Sequence, residues 1–268
     1  VNEGGWLLKT VVTLIYIFIL APIVVVLVAS ISTTPFLTFP PAGFTLKWFQ
    51  QIVTLGEFTD ALRFSMVVAA FATVLSVILG TWIALVLTRA EFPGKTALQS
   101  FFLAPIVLPE LALAIGLLQY FSRLGFIHGT LAVVLAHSVI CTPYVIRTLL
   151  AAATRLDRAL EESALCLGAR PWRALWDITL PLLRPGLVSG GIMAFVISFD
   201  NVTMSLFLAA PGNITLPALL YNQAAESGLN TTLAAVCALL VVFMLALMLL
   251  VERLVGLEKF FESVAARR

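Results

Sequence analysis

Charge is what this sequence has least of. Asp, Glu, Lys and Arg make up 11% of its 268 residues, where a soluble domain carries about 25%, so water is ruled out as the solvent for most of the folded surface. The only two histidines, His128 and His137, have no ligand or nucleophile beside them in sequence, which argues against a catalytic or metal role. The three cysteines, Cys141, Cys166 and Cys237, lie far apart in apolar or helical surroundings. They have neither metal-ligand spacing nor a disulfide framework, and read as packing residues. A net charge of +2 without a basic run argues against a nucleic-acid partner. No G-x-x-x-x-G-K-[ST] phosphate loop occurs, so the chain does not hydrolyse ATP by itself.

What is abundant is apolar sequence, 61% of the chain, gathered into runs long enough to cross a hydrocarbon layer about 30 Å thick. The runs are continuous and do not alternate with period two, so helices are expected and a barrel is not. Six spans are placed at residues 10–30, 62–88, 98–121, 127–150, 185–209 and 231–252. The first follows Lys9 but is longer than the apolar core of a secretory signal, and is read as an uncleaved span. Thirteen of the sixteen Lys and Arg residues fall on one side of this topology, including Lys9, Arg89, Arg155, Arg170 and Arg268, against Lys47, Arg63 and Arg123 on the other. The positive-inside rule then puts both termini in the cytoplasm.

On the outer side, residues 32–60 hold Pro35, Pro40, Pro41 and Gly43 before Trp48, which predicts an ordered, partly interfacial loop. Residues 211–230 open with Pro211-Gly212 and contain an apolar stretch, Leu216 to Leu220, too short to span. A re-entrant segment and an amphipathic surface loop both fit.

The longest inner loop, residues 152–184, is the most polar part of the chain. Gly168 suits a helix C-terminus and Pro171 the first turn of the next helix, so two short helices are expected to meet there at an angle. In this loop Glu162-Ser163-Ala164, then Gly168, then Ile178, Leu180 and Pro181 follow the E-A-A-x-x-x-G, nine-residue, I-x-L-P pattern of binding-protein-dependent ABC importer permeases, with one Ala replaced by Ser. The chain resembles that family. The resemblance implies a coupling helix seated on a separate ATPase subunit, with Glu162 pairing to a basic group there and Glu161 a solvated helical carboxylate.

Two acids fall inside expected spans, Glu110 in the third and Asp200 in the fifth, with no Lys or Arg at similar depth. A carboxylate near the bilayer centre costs about 2.5–3.5 kcal/mol, so a pathway, a partner or a polar network is required. Ser198, Asn201 and Ser205 recur near Asp200 at helical spacing and line one face in this reading. The segment Met193 to Asn201, running on to Phe207-Leu208-Ala209-Ala210-Pro211-Gly212, together with Leu108-Pro109-Glu110 and Phe44 to Trp48, resembles spermidine/putrescine permeases. Some of those relatives carry two adjacent acids where this chain has Asp200-Asn201, which leaves putrescine, other amines and opines open as solutes.

The expectation is an all-α, polytopic type I importer permease, a single transmembrane domain over residues 1–268 with 152–184 as its coupling loop, in a bacterial inner membrane. By resemblance its partners are a second homologous permease, two ATPase subunits that carry the ATP and magnesium, and an extracytoplasmic solute-binding protein, in contact with lipid. It binds no cofactor itself. An ion-coupled secondary transporter or channel, using the acids for proton or sodium coupling, is the rival class, as is a permease for iron or another small solute. An intramembrane enzyme lacks a nucleophile-base set.

Overall fold

The computed structural model describes residues 3–126, 129–154, 156–210 and 212–255; His128, Arg155, Pro211, Lys259, Arg267 and Arg268 lie outside the described residues. The helices are α1 (Glu3–Ala29), α2 (Lys47–Thr54), α3 (Glu57–Arg89), α4 (Lys95–Leu103), α5 (Glu110–Arg123), α6 (Thr130–Ala153), α7 (Arg158–Cys166), α8 (Pro171–Ala174), α9 (Leu180–Asp200), α10 (Thr203–Leu208), α11 (Leu216–Ser227) and α12 (Thr231–Val255). No strand occurs among the described residues. The all-helical, multi-span class expected from the apolar runs is what the chain adopts.

Among the described residues five helices are long and apolar enough to cross a membrane: 5–29, 57–89, 130–153, 171–200 and 231–249. The third expected span is not one helix. It is broken into Lys95–Ile106 and Glu110–Arg123, bent by 101°. Pro109 explains the break, because it lacks an N–H and disfavours helical backbone at Leu108; its own ψ is 123°. The fifth expected span, 185–209, is also corrected. The second loop helix does not stop short but continues through a π-helical turn, Leu175–Thr179, into α9, and the whole ends at Asp200. Pro181 lacks the backbone donor that would bond to the Asp177 carbonyl in this turn, and a locally widened turn accommodates the missing bond.

Two compact units divide the chain. The first, Val1–Asp60 with Leu220–Leu250, contains α1, whose 18-residue apolar core is 0% buried and therefore faces lipid or a partner. Its loop is ordered, as expected. Ser32 pairs with Phe44 and Phe36 with Asn230 as isolated bridges, the Trp48 indole N–H donates to the Ser32 carbonyl at 2.7 Å, and the Thr231 hydroxyl donates to the Thr34 carbonyl at 2.7 Å.

The second unit, Ala61–Leu219 with Val251–Arg268, is built on α6, which lies against α9 along most of its length and against α3. Glycine permits both approaches. A methyl at Gly80 would sit 2.7 Å from Val145 Cγ1, and one at Gly186 2.7 Å from Ala152 Cβ, while Gly190 packs on Val145 with its nearest contacts at 3.4 Å. Helix association in lipid gains from van der Waals contact and not from water release, which is why small residues sit at these crossings. Val133, Val145, Ile146, Leu149 and Leu183 fill the core. The Ser76 hydroxyl adds a cross-helix bond to the Ser138 carbonyl at 3.3 Å.

Candidate functional site: the loop helix and the helix breaks

The loop helix α7 is defined at both ends. Asp157 caps its start, its carboxylate accepting from the Ala159 amide at 2.9 Å. At its end Gly168 has φ +89°; its amide donates to the Leu165 carbonyl and the Ala169 amide to the Ala164 carbonyl, both at 3.0 Å. That is the Schellman closure, and only glycine enters its left-handed position without steric cost. Arg170 then returns to extended backbone and Pro171 opens α8, as the sequence predicts. Glu162 and Ser163 are exposed and Ala164 half-buried; Ile178 and Leu180 are half-buried and Pro181 exposed. The motif residues therefore divide between the outer surface of α7 and the root of α9.

Glu161, expected to be a solvated carboxylate, is not one. The Arg89 guanidinium donates from Nη2 to Glu161 Oε2 at 2.5 Å and to Thr179 Oγ1 at 2.8 Å, and the Thr179 hydroxyl donates to the same carboxylate oxygen at 2.9 Å. These groups line a cleft of about 260 Å³ together with Leu85, Glu162, Leu165, Ile178 and Leu183. Cys166, expected to pack, is instead exposed at the end of α7, a helix on which Glu161 and Ala164 are the half-buried positions among the described side chains.

The two acids sit at helix breaks, not inside spans. Glu110 is the first residue of α5, where the positive end of the helix dipole favours a carboxylate. Asp200 is the last residue of α9, where the dipole is negative and disfavours one. Asn201 joins the breaks. Its side-chain amide donates to Glu110 Oε1, and its carbonyl oxygen accepts from the Met204 amide at 2.9 Å, starting α10. Asp200 is exposed and makes no hydrogen bond or ion pair among the described residues.

Ser198 and Ser205, expected to line one helical face near Asp200, are buried against His137. The imidazole Nδ1 lies 2.8 Å from Ser198 Oγ and Nε2 3.2 Å from Ser205 Oγ, so one ring from α6 holds the end of α9 and the body of α10. Sequence reasoning missed this role. The signal was available, since a lone polar ring in an apolar span needs partners just as Glu110 does. Cys141, one turn further along α6, is buried as expected, with its thiol 3.3 Å from the Ala194 carbonyl; Cys237 is half-buried in α12.

Comparisons with known proteins agree with this architecture. Residues 76–257 match the family described as binding-protein-dependent transport system inner membrane component. The chain is 31% identical to the putrescine transport system permease protein PotI of Escherichia coli K12 over 84% of its length and 82% of that protein's. It is 28% identical to the spermidine/putrescine permease PotC of the same strain, over 96% and 94%, and 35% identical to the molybdenum permease ModB of Mycobacterium bovis, over 79% and 89%. In fold it is similar to a bacterial ABC transporter involved in alginate import, with a TM-score of 0.79 at 15% identity, covering 94% of this chain and 96% of that one. A multi-span helical chain with no phosphate loop and a capped helix turned out on its longest loop is thereby accounted for: it belongs to the inner membrane components of binding-protein-dependent transport systems, and is a permease subunit and not an enzyme.

Proposed function

We propose that this permease forms half of the translocation pathway for a polyamine or a related small cationic solute. Its partners in this reading are a second homologous permease, two ATP-binding-cassette ATPases holding ATP and magnesium, and an extracytoplasmic binding protein. Both termini face the cytoplasm, residues 1–268 act as one transmembrane domain, and residues 152–184 dock the ATPase through the exposed Glu162 and Ser163 of α7. Ala164 and Gly168 shape that helix, while Ile178, Leu180 and Pro181 carry its motion into α9.

The observation that carries the solute assignment is the pair of carboxylates at adjoining helix breaks. Glu110, at the start of α5, accepts from the side chain of Asn201, the residue after Asp200, and Asp200 stands at the negative end of α9 without a basic partner among the described residues. An ammonium group passing there recovers lost hydration as charge-assisted hydrogen bonds, and an anion meets repulsion. Ser198 and Ser205 serve the pathway from behind, holding the turn that presents Asn201. The PotI and PotC relatives support an amine; the molybdenum relative has the higher identity, so it is the acids that favour a cation.

The test is the initial rate of putrescine uptake in proteoliposomes, with assembly checked by co-purification of the ATPase. Asp200→Asn is expected to slow uptake about tenfold, the value of one charge-assisted hydrogen bond, and Glu110→Gln less, because a glutamine still meets Asn201. Unchanged putrescine uptake in the double variant would return both acids to a structural role.

A further inference from the structure

Glu161, Arg89 and Thr179 come from three separate elements: α7, the last residue of α3, and the π-helical turn at the root of α9. They form a closed triangle of hydrogen bonds at 2.5, 2.8 and 2.9 Å. The arrangement of Thr179 is specific to this place. Thr81, Thr142 and Thr148 send their hydroxyl protons to the carbonyl four residues back in their own helices, whereas Thr179 sends its proton across to Glu161 while receiving one from Arg89. The side chains of Arg89 and Glu161 are only 36% and 26% exposed, and Leu85 and Leu183 line the same cleft, so water screens this pair less than a free surface pair. By contrast the first helix of the loop is tied covalently to its spans only through turns, including the positive-φ turn at Gly168.

We propose that Arg89, Glu161 and Thr179 are a latch that fastens α7 to α3 and α9, so that displacement of α7 by the ATPase moves both spans and is not absorbed in the loop. The proposal rests on α7 being the ATPase-docking helix. The latch residues are positioning residues: Glu161 points back at the spans, while the exposed Glu162 is left for the partner.

The experiment uses the complete transporter in proteoliposomes and reads two quantities, ATPase co-purification and the fold stimulation of ATP hydrolysis by the cognate binding protein as purified from the host. Arg89→Gln and Thr179→Val are expected to leave co-purification unchanged and to lower stimulation about fivefold and about twofold, because the first removes the ion pair with Glu161 and the second leaves that pair in place while losing the hydroxyl that joins it to α9. The charge exchange Arg89→Glu with Glu161→Arg is expected to recover at least half of the stimulation, which a merely structural loss of packing would not do. Full stimulation in Arg89→Gln and Thr179→Val overturns the latch, as does loss of co-purification in step with stimulation, or no recovery on exchange. Glu162→Ala separates the underlying reading: if it leaves both quantities unchanged, α7 is not the docking helix.

Discussion

A single methyl group at Gly186 tests the packing that holds the second unit together. Built on the present backbone, it would lie 2.7 Å from Ala152 Cβ, where carbon atoms prefer about 3.5–4.0 Å. Neither Ala152 nor the helix backbone has a rotamer to give, so α6 and α9 must part by about 1 Å locally, and a gap of that size forfeits a quarter to a half of each contact it opens. The contacts at stake involve fully buried side chains, including Leu149 and Leu183. Overpacking of this kind costs about 1–3 kcal/mol, reduced by the better helix propensity of alanine, close to 1 kcal/mol. One turn further on, a methyl at Gly190 meets Val145 at 3.4 Å, an ordinary contact, and gains the same propensity. Gly186→Ala should therefore lower the melting temperature of the detergent-purified protein by about 2–6 °C, and Gly190→Ala should raise it by about 2–4 °C. A thiol-reactive dye is the probe, since Cys141 is buried on this same interface, with the exposed Cys166 replaced by serine. Equal stability of Gly186→Ala and the parent, or equal damage from the two substitutions, would refute this account of the interface.

Gly168→Val is expected to uncouple ATP hydrolysis from uptake. Its φ of +89° with nothing within 4 Å of a Cβ means that the cost is backbone strain alone, about 1–2 kcal/mol and greater for a β-branched residue than for alanine; normal coupling in the valine variant would remove this turn from the mechanism. A cysteine introduced by Ser163→Cys, at an exposed position on α7, should resist an impermeant maleimide applied outside intact cells and react in inverted vesicles, and labelling from outside would reverse the proposed orientation.

Much of this molecule is legible in its sequence because the information is local. Apolar runs of spanning length become helices in any solvent that cannot hydrogen-bond the backbone, and Asp157, Gly168 and Pro171 delimit the loop helices through their own backbone preferences and side-chain oxygens. Pro109 is local information of the same kind, yet the apolar run around it reads as one span and is bent by 101°. What lies beyond local reach is which polar groups find one another across 61 to 91 residues of chain. Glu161 and Glu162 are adjacent and chemically alike; only the fold brings Arg89 and Thr179 to the first and leaves the second exposed. Asp200 and Asn201 sit in what periodicity reads as the middle of a span, yet the helix ends between them, because Asn201 is drawn to Glu110 and to the Met204 amide. His137 looks solitary along the chain and is fully bonded in the fold. Sequence thus determines where helices can form and which residues are costly in lipid, and tertiary structure decides how each costly residue is satisfied, since a polar group without water takes whatever partner the packing of the helices brings within reach.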